Sequence, residues 1–352
     1  MARSQIELGR AGAFGIECRT MERLGAFAAF GTAVFWTASA IAFEGASKRV
    51  GALAVNFWKV TIAFFLLALS GLLIRGSPLP LDASAASWRF LALSGFIGFV
   101  ISDYFLFNAY VLIGSRVTVV FQALTPLFAA GFGYLVLGQA MQARSLAGMG
   151  AVVSGITILV IARNASKART EAGERVRAEA PGAVASPHSG AENLAVARVG
   201  GRRSREGQQL KGYVFAFLST VFQALGLVTS KLGLADIGAI PATQIRVLAA
   251  IVGFGLQALI LRRGREVFVE ALRDRSAAMR IAAGSIVGPF LGVVLSLFAL
   301  QHTDVGTASS LMALTPVLII APAILLMRQR VAAMEVVGAA IAVGGTALFF
   351  MA

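Results

Sequence analysis

Ten apolar runs, each long enough to cross a lipid bilayer as a helix, dominate this chain of 352 residues. A hydrocarbon core of about 30 Å needs roughly 20 apolar residues in a helix. The runs cover residues 25–43, 52–74, 89–112, 116–138, 145–162, 212–233, 240–261, 280–301, 306–327 and 333–351. They are about twice the length of a barrel strand and do not alternate apolar with polar residues. The sequence therefore predicts an all-α membrane protein with ten transmembrane helices.

Composition and charge exclude several other classes of protein. Hydrophobic residues make up 57% of the chain and charged residues 14%, whereas soluble domains have about 45–50% and about 25%. Cys18 is the only cysteine and no Cys/His cluster has metal spacing, so we expect no disulfide, metal or cofactor. Many cations behind the net charge of +14 lie between apolar runs, where they would meet anionic lipid and not nucleic acid.

The two halves of the chain repeat each other. Ala-Leu-Thr-Pro occurs at residues 123–126 and again at residues 313–316, which is an offset of 190. At the same offset Gly155 matches Gly345. Because each unit holds five spans, two tandem copies must cross the membrane in opposite senses. The sequence thus predicts two inverted five-helix repeats, the arrangement of alternating-access transporters with a substrate site near the membrane midplane.

The segment between the fifth and sixth runs has a different composition. It carries nine Lys or Arg and five Glu, two prolines and almost no large apolar side chains. This pattern favours a disordered basic linker, although a binding role for its basic stretch stays open. The predicted organisation is an N-terminal tail (1–24, with acids and no signal-peptide pattern), a first repeat (25–163), the linker (164–211) and a second repeat (212–352).

These features together resemble one known family. Each half has a cation in its second span (Lys59 and Arg246), Thr-Pro in its fourth, a Gly-Gln turn after it and a Gly-rich fifth span. This pattern resembles the EamA-type branch of the drug/metabolite transporter superfamily over nearly all of both repeats. The resemblance implies a ten-helix carrier of the cell membrane, in bacteria the inner membrane, that exports amino acids and other metabolites. Gln139 and Gln329 stand where that family usually has Glu.

The orientation of the chain in the membrane stays open. The side that holds the N-terminus carries eight Lys or Arg and the opposite side carries 21. The positive-inside rule therefore places both termini outside the cell. The family resemblance implies cytoplasmic termini, and a moderately long linker counts for less than short loops.

Asp103 is an acid near the middle of the third predicted span, and its counterpart in the other repeat is Val293. An intramembrane charge costs about 2.5–3.5 kcal/mol, so it needs a partner, water or a function. One interpretation is a fixed ion pair with Lys59 on the neighbouring span. The other is a proton-coupling switch, in which protonation neutralises the acid and lets the carrier reorient.

Two cations occupy equivalent positions of the second span in each repeat. Asn56 and Lys59 lie three residues apart on one helical face, and Thr243 and Arg246 repeat that arrangement. Lys59 as a point charge and Arg246 as a planar fork would suit a substrate that bears a carboxylate or a phosphate. The alternative is that these side chains only bond to backbone carbonyls of neighbouring helices.

Further polar and aromatic side chains are candidates for the cavity wall or for interhelical hydrogen bonds. They are Trp36, Tyr104, Asn108, Gln122 and Gln223.

The repeated Thr-Pro pairs lie inside apolar runs. Pro126 and Pro316 each remove a backbone donor, which kinks a helix and frees a carbonyl. Thr125 and Thr315 can bond back to the preceding turn. We expect paired bends beside the central cavity, with a static kink needed only for packing as the alternative.

The function that the sequence predicts is secondary transport, with export of small polar metabolites, amino acids first. No phosphate-binding Gly-rich motif is present, so no nucleotide drives the cycle directly. His302 and Asp304 lie two apart without a nucleophile elbow, so we expect no enzyme activity. The alternatives are an exporter of drugs or nucleotide-sugar-like substrates, and a membrane scaffold or sensor that uses the basic linker. Expected partners are a small-molecule substrate, the bilayer and protons, with the oligomeric state open.

Overall fold

The computed structural model describes residues 2–122, 124–178, 191–318 and 333–350. Every regular element in these ranges is helical. The predicted all-α class is therefore confirmed for the part of the chain that the structure describes.

The helices of the first half are α1 (Ala2–Val50), α2 (Ala52–Arg75), α3 (Ala85–Gly95), α4 (Ser102–Gln122), α5 (Thr125–Leu137) and α6 (Ala143–Ala178). Those of the second half are α7 (Ala191–Gly233), α8 (Ala239–Ile260), α9 (Ala271–Arg273), α10 (Arg275–Ser285), α11 (Val293–His302), α12 (Val305–Met312), α13 (Thr315–Leu318) and α14 (Ala333–Phe350). Three segments are π-helical, namely Phe96–Ile101, Glu266–Glu270 and Ile286–Gly292.

Seven described segments are long and apolar enough to cross a membrane. They are Thr20–Ser47, Ala52–Arg75, Ala85–Leu106, Ala143–Ala162, Gly207–Gly233, Ala239–Ile260 and Arg275–His302. Two shorter apolar helices, Thr125–Leu137 and Ala333–Thr346, lie where the fourth and tenth spans were expected. The predicted ninth run extends past residue 318 into residues that lie outside the described ranges. Ten spans therefore remain a prediction.

The sequence predicts no secondary structure for the tail and disorder for the linker, and the described residues of both are helical. Helix α1 begins at Ala2, so the expected N-terminal tail is helical. Helix α6 continues to Ala178 and α7 begins at Ala191, so the described parts of the expected disordered linker are helical too. The reason is local, because these stretches are rich in Ala, Arg and Glu, which have high helix propensity. Residues 179–190 of the linker lie outside the described ranges.

Equivalent residues begin the third span of one repeat and the eighth span of the other. Ser84 caps α3, because its Oγ accepts a hydrogen bond from the Ser87 backbone N–H at 3.1 Å. Asp274, which lies 190 residues later, caps α10 by accepting from the Ala277 N–H at 3.0 Å. Both positions use the side-chain oxygen that an exposed helix start needs.

The helices of the two halves pack as equivalent pairs. Of the three π-helical segments, Phe96–Ile101 is called the first π-helical segment of the repeats, and its counterpart Ile286–Gly292 the second. Helix α1 packs against α10, α11 and the second π-helical segment of the repeats. Helix α7 packs against α3, α4 and the first. The pairs α2 with α8, α5 with α12, and α6 with α14 each join a span to its own counterpart. Exchanging the two halves therefore reproduces these contacts between the described helices.

Close glycine contacts show the relative direction of the two halves. At Gly25 a β-carbon would lie 2.7 Å from Thr303 Cγ2, and at the equivalent Gly212 it would overlap Ile113, which is the counterpart of Thr303. Lys231, near the end of α7, donates to the Thr303 carbonyl. The start of the apolar part of α1 and the end of α7 therefore lie on the same side, so these two helices run in opposite directions.

The segment Ser102–Gln122 turns back on itself. Ser102 Oγ donates to the Ser219 carbonyl at 3.1 Å, and the side-chain amide of Gln122 donates to the hydroxyl of the same Ser219. A straight helix of 21 residues would hold its ends about 30 Å apart. The chain must reverse between these contacts, in the region where the sequence separates the third run from the fourth.

Candidate functional site

A cavity of about 400 Å³ lies between the two halves. The helices that contribute to its wall, together with two π-helical segments, are α1, α2, α4, α5, α7, α8, α11, α12 and α13. Most of the wall is apolar or aromatic, and the side chains of this kind are Trp36, Phe43, Phe99, Leu106, Leu227, Pro289, Val293 and Met312. Its volume lies within the range of sites that hold a small organic ligand.

Each of the two Thr-Pro pairs lies at the start of a helix, which differs from the predicted kink inside one, and their threonines border this cavity. Helix α5 begins at Thr125, and α13 begins at Thr315 after α12 has ended at Met312. Pro126 lies in the first turn of α5, where the missing N–H has no intrahelical partner to lose. Thr315 Oγ1 donates to the Met312 carbonyl at 3.2 Å, the bond back to the preceding turn that the sequence predicts. Both threonines line the cavity.

A chain of neutral polar side chains forms another part of the wall. Gln122 donates from its amide to Ser219, and its Oε1 lies 3.3 Å from Thr125 Oγ1. Gln223 Oε1 lies 3.0 Å from the hydroxyl of Ser102. The predicted residues Gln122 and Gln223 therefore line the cavity while their amides are held by hydrogen bonds between α4 and α7.

Lys59 and Asp103 form an ion pair inside the cavity. Lys59 Nζ lies 3.4 Å from Asp103 Oδ2, and the two side chains are 15% and 13% exposed. Lys59 Nζ also lies 5.7 Å from the centre of the Phe43 ring, within the range of a cation–π contact. Of the two interpretations of Asp103, the ion pair is thus present in the structure, while its use as a proton switch stays a prediction.

Arg246 reaches the same cavity from α8 without an acidic partner among the described residues. Arg246 is 5% exposed, and its buried Nε has no hydrogen-bond partner among the described residues. The guanidinium lies over the Phe99 ring at 5.1 Å from the ring centre. A β-carbon at Gly98 would lie 3.4 Å from its Nη2, in van der Waals contact, so Gly98 packs directly beside this group. Arg246 is therefore a buried cation at the cavity wall, and its Nε has no hydrogen-bond partner in the part of the chain that the structure describes.

Four predicted residues do not line the cavity. Asn56 is buried with its Oδ1 unpaired, and Thr243 is buried and donates to the Ala239 carbonyl at 2.7 Å. Tyr104 is 44% exposed, and Asn108 donates to the Tyr104 carbonyl at 2.7 Å. A spacing of three residues still leaves about 60° between two side chains. That difference turns Asn56 and Thr243 away from the cavity that Lys59 and Arg246 reach.

Two π-helical segments contribute wall residues that the sequence analysis missed. Phe96–Ile101 brings Gly98 and Phe99 to the cavity, and Ile286–Gly292 brings Gly288 and Pro289. The two segments begin 190 residues apart, so each repeat has one at the same place. Such segments are frequent at functional sites. The only sequence signal for them is glycine at the same position of both third spans.

Two glutamine side chains make hydrogen bonds on the side of Gly25, and one of these bonds joins the two repeats. Gln139 Oε1, just after α5, accepts a hydrogen bond from the Val305 N–H at 3.2 Å and so caps α12. Gln301 donates to the Ile237 carbonyl at 2.8 Å. A neutral amide therefore serves where the resemblance implies Glu. Within the described residues, no three His, Cys, Asp or Glu side chains are grouped as a metal site.

Comparison with known proteins supports both the repeats and the fold. The model of the EamA-like transporter family matches residues 23–161 and 210–351, which are the two halves described above. No curated protein matches the chain. A crystal structure of a protein that is 18% identical covers 92% of this chain and 95% of its own, with a TM-score of 0.65. At this identity the similarity shows the fold alone.

Proposed function

Because this chain belongs to the EamA-like transporter family, we propose that it is a secondary transporter that exports amino acids or similar small polar metabolites by alternating access. Membership makes it a multi-pass membrane transporter of the drug/metabolite type. The substrate, the direction and the coupling are our proposal, and they rest on the cavity.

The observation that carries the proposal is the unpaired Arg246 at the cavity wall. A buried cation without a counter-ion is costly, and a carboxylate can satisfy a guanidinium with two parallel hydrogen bonds. Amino acids and related metabolites all carry such a carboxylate. Arg246 would therefore bind the carboxylate, while Trp36 and the amides of Gln122 and Gln223 would contact the rest of the molecule.

Alternating access is supported by the equivalent pairing of the halves. The cavity lies where α1 meets the second repeat and α7 meets the first, and these helices run in opposite directions. Inverted repeats can exchange roles, so that a site at the midplane opens first to one side and then to the other.

Proton coupling through Asp103 is the second part of the proposal. Asp103 is paired with Lys59 at 3.4 Å. Protonation would break this pair and leave Lys59 unpaired, which changes the charge of the cavity. The rate of transport would then depend on pH through this group.

The experiment is efflux of labelled amino acids and other metabolites from liposomes that contain the purified full chain. Arg246→Gln should lower the substrate affinity by about a hundredfold, because it removes the charged partner of the carboxylate. Arg246→Lys should retain part of the affinity. The matched control is Arg263→Gln, since Arg263 is an exposed cation that pairs with Glu266 outside the cavity. Unchanged affinity in Arg246→Gln would contradict the proposal.

The apolar wall favours a second candidate, an exporter of amphipathic drugs. Such a substrate would compete with amino acids for the cavity and would lose little affinity in Arg246→Gln. A transport-independent scaffold is tested by deleting residues 166–208, because a carrier should keep its flux whereas a sensor that uses this basic segment should lose its activity.

A further inference from the structure

The charges at the cavity wall do not balance. Among the described residues that line it, Lys59, Asp103 and Arg246 are charged and the others are neutral. Lys59 and Asp103 compensate each other at 3.4 Å. The wall therefore carries one uncompensated positive charge, which belongs to Arg246.

No other described acid supplies the missing negative charge. The ion pairs elsewhere join Arg49 to Asp274, Arg75 to Asp82 and Arg263 to Glu266, and none of these reaches the cavity. Water can screen Arg246 while the cavity is open. When a carrier closes around its substrate this screening is lost, and a lone charge in a low-dielectric interior becomes costly. The closed state is therefore most stable when the substrate itself brings the counter-charge.

We propose, resting on the transport function above and narrowing its substrate from free amino acids to derivatives without the ammonium group, that the substrate binds as a monoanion with an apolar body, such as an N-acylated apolar amino acid, and not as a zwitterion. A monoanion makes the cavity neutral. A zwitterion leaves the charge of the cavity unchanged and adds an ammonium group. Asp103, the one acid among the described residues of the wall, is already bonded to Lys59.

The position of Arg246 shows which part of the substrate it would contact. One face of the guanidinium is covered by the Phe99 ring at 5.1 Å. Its edge is left for in-plane hydrogen bonds, which is the geometry that a carboxylate uses. Gly98 lies next to Nη2. The carboxylate therefore binds beside Arg246 of α8 and next to the first π-helical segment.

The remaining wall suits an apolar body better than a second charged group. Trp36 and Phe43 from α1, Leu227 from α7 and Met312 from α12 supply large apolar surfaces. The neutral amides of Gln122 and Gln223 supply hydrogen-bonding groups for an amide or a hydroxyl. A dicarboxylate would place its second charge against the apolar surface, where it has no partner.

The test uses ligands that share one body and differ in charge: N-acetylphenylalanine (monoanion), phenylalanine (zwitterion) and phenylalanine amide (cation). Binding to the purified full chain is measured by thermal shift and by competition. The same set of three ligands is made for leucine and for methionine. We expect the monoanion of each set to bind about tenfold more tightly than the zwitterion, and the cation to bind least. In Arg246→Gln the preference for the monoanion should disappear, while Arg246→Lys, which keeps the charge, should retain it.

The outcomes separate this inference from the transport function. Equal or tighter binding of zwitterions that still depends on Arg246 overturns the charge assignment and leaves amino-acid transport standing. The charge assignment is also overturned if, in all three sets, the monoanion binds no more tightly than the zwitterion. It is likewise overturned if no monoanion binds at all. Binding that Arg246→Gln leaves unchanged contradicts the role of this residue in both proposals. Size-exclusion profiles and melting curves of the variants show that each has folded.

Discussion

Lys59 and Arg246 occupy equivalent positions of the two repeats, yet their surroundings differ. Both project from the second span of their half into the same cavity. Lys59 is paired with Asp103, whereas the residue equivalent to Asp103 in the other half is Val293, and Arg246 has no acidic partner among the described residues. The comparison teaches that the repeat accounts for the equivalent positions of the two cations. Asp103, which is present in one copy alone, pairs with Lys59 and leaves Arg246 as the cation that can bind an anion.

The variant with the largest expected effect removes this difference between Lys59 and Arg246 by placing an acid in the second repeat at the position that Asp103 occupies in the first. Val293→Asp would place a carboxylate at the position equivalent to Asp103, where it can pair with Arg246. We expect the affinity for anionic substrate to fall by about a hundredfold, because the guanidinium is then satisfied and the wall carries no net charge. Binding to the purified protein measures this effect.

The matched control is Val293→Asn, because asparagine has nearly the same shape as aspartate but no charge. It should lower the affinity by less than about tenfold, because it adds a polar group but no counter-ion. Equal losses in both variants would mean that packing at this position, and not charge, separates the two cations.

A second comparison concerns the contacts that join each π-helical segment to the other repeat. At Gly226 a β-carbon would lie 2.7 Å from the Gly98 Cα, which is backbone and cannot move aside. The position equivalent to Gly226 in the first repeat is Ser39, which faces Gly288 and already carries a side chain. We expect Gly226→Ala to lower the unfolding free energy by roughly 2 kcal/mol, because the helices must separate.

Thermal melting in detergent measures this change, with Ser39→Ala as the control. The control removes a hydroxyl that bonds to the Trp36 carbonyl of its own helix, at 3.1 Å, and should change stability little. A melting temperature that Gly226→Ala leaves unaltered would show that the contact between α7 and the first π-helical segment is looser than the structure indicates.

The third test removes the acid that distinguishes the first repeat. Asp103→Asn leaves Lys59 unpaired, so both cations become free. We expect the transport rate to fall by about tenfold and its dependence on pH to disappear, because the group that would exchange the proton is gone. Uptake into liposomes over a pH series measures both effects. An Asp103→Asn carrier with an undiminished rate and an unchanged pH profile removes proton coupling from the mechanism.

The smallest effect concerns the two equivalent helix caps, Ser84 and Asp274. The Arg49 hydrogen bond, followed by those from the backbone at Ala277 and Ser276, holds the pKa of the Asp274 carboxyl below its usual value of 3.8. Its contribution to stability is therefore present above the unfolded value of about 3.8 and is lost as the pH falls through the lower folded value. Asp274→Ala should lower the melting temperature by about 2 °C at neutral pH and by less in acid.

Ser84→Ala is the matched comparison, because a hydroxyl does not titrate in this range. Its cost should be similar at neutral pH and should persist in acid. Melting curves of both variants at two pH values distinguish the cases, and a loss for Asp274→Ala that persists in acid would contradict the assignment to the charged carboxylate.

Much of the architecture follows from patterns that the sequence states directly. Run length and the offset of 190 predict helical spans and two equivalent halves, because a helix must fill the bilayer thickness and glycine contacts recur in both copies. The sequence also indicates Lys59 and Arg246 as site residues, because they are cations inside apolar runs and a charge in lipid is costly unless it has a partner or a function.

The faces of the helices could not be predicted in the same way. Tyr104 and Asn108 lie beside Asp103 in the sequence but turn toward the outside, because the rotation of a span is set by its neighbours. The π-helical segments shift that rotation further, and no residue type requires them. The helical tail and linker were missed because polar composition was given more weight than helix propensity.

The contact between α6 and α14 has a consequence for the history of the chain. At Gly155 a β-carbon would lie 2.9 Å from the Ala342 Cα, and at the equivalent Gly345 it would lie 2.9 Å from the Gly148 carbonyl. Once the gene had doubled, a larger residue in either copy would have collided with the backbone of its twin, so the two could not drift apart here. Residues that face the cavity meet no such obstacle, and there the two copies differ, with an acid in one where the other has valine.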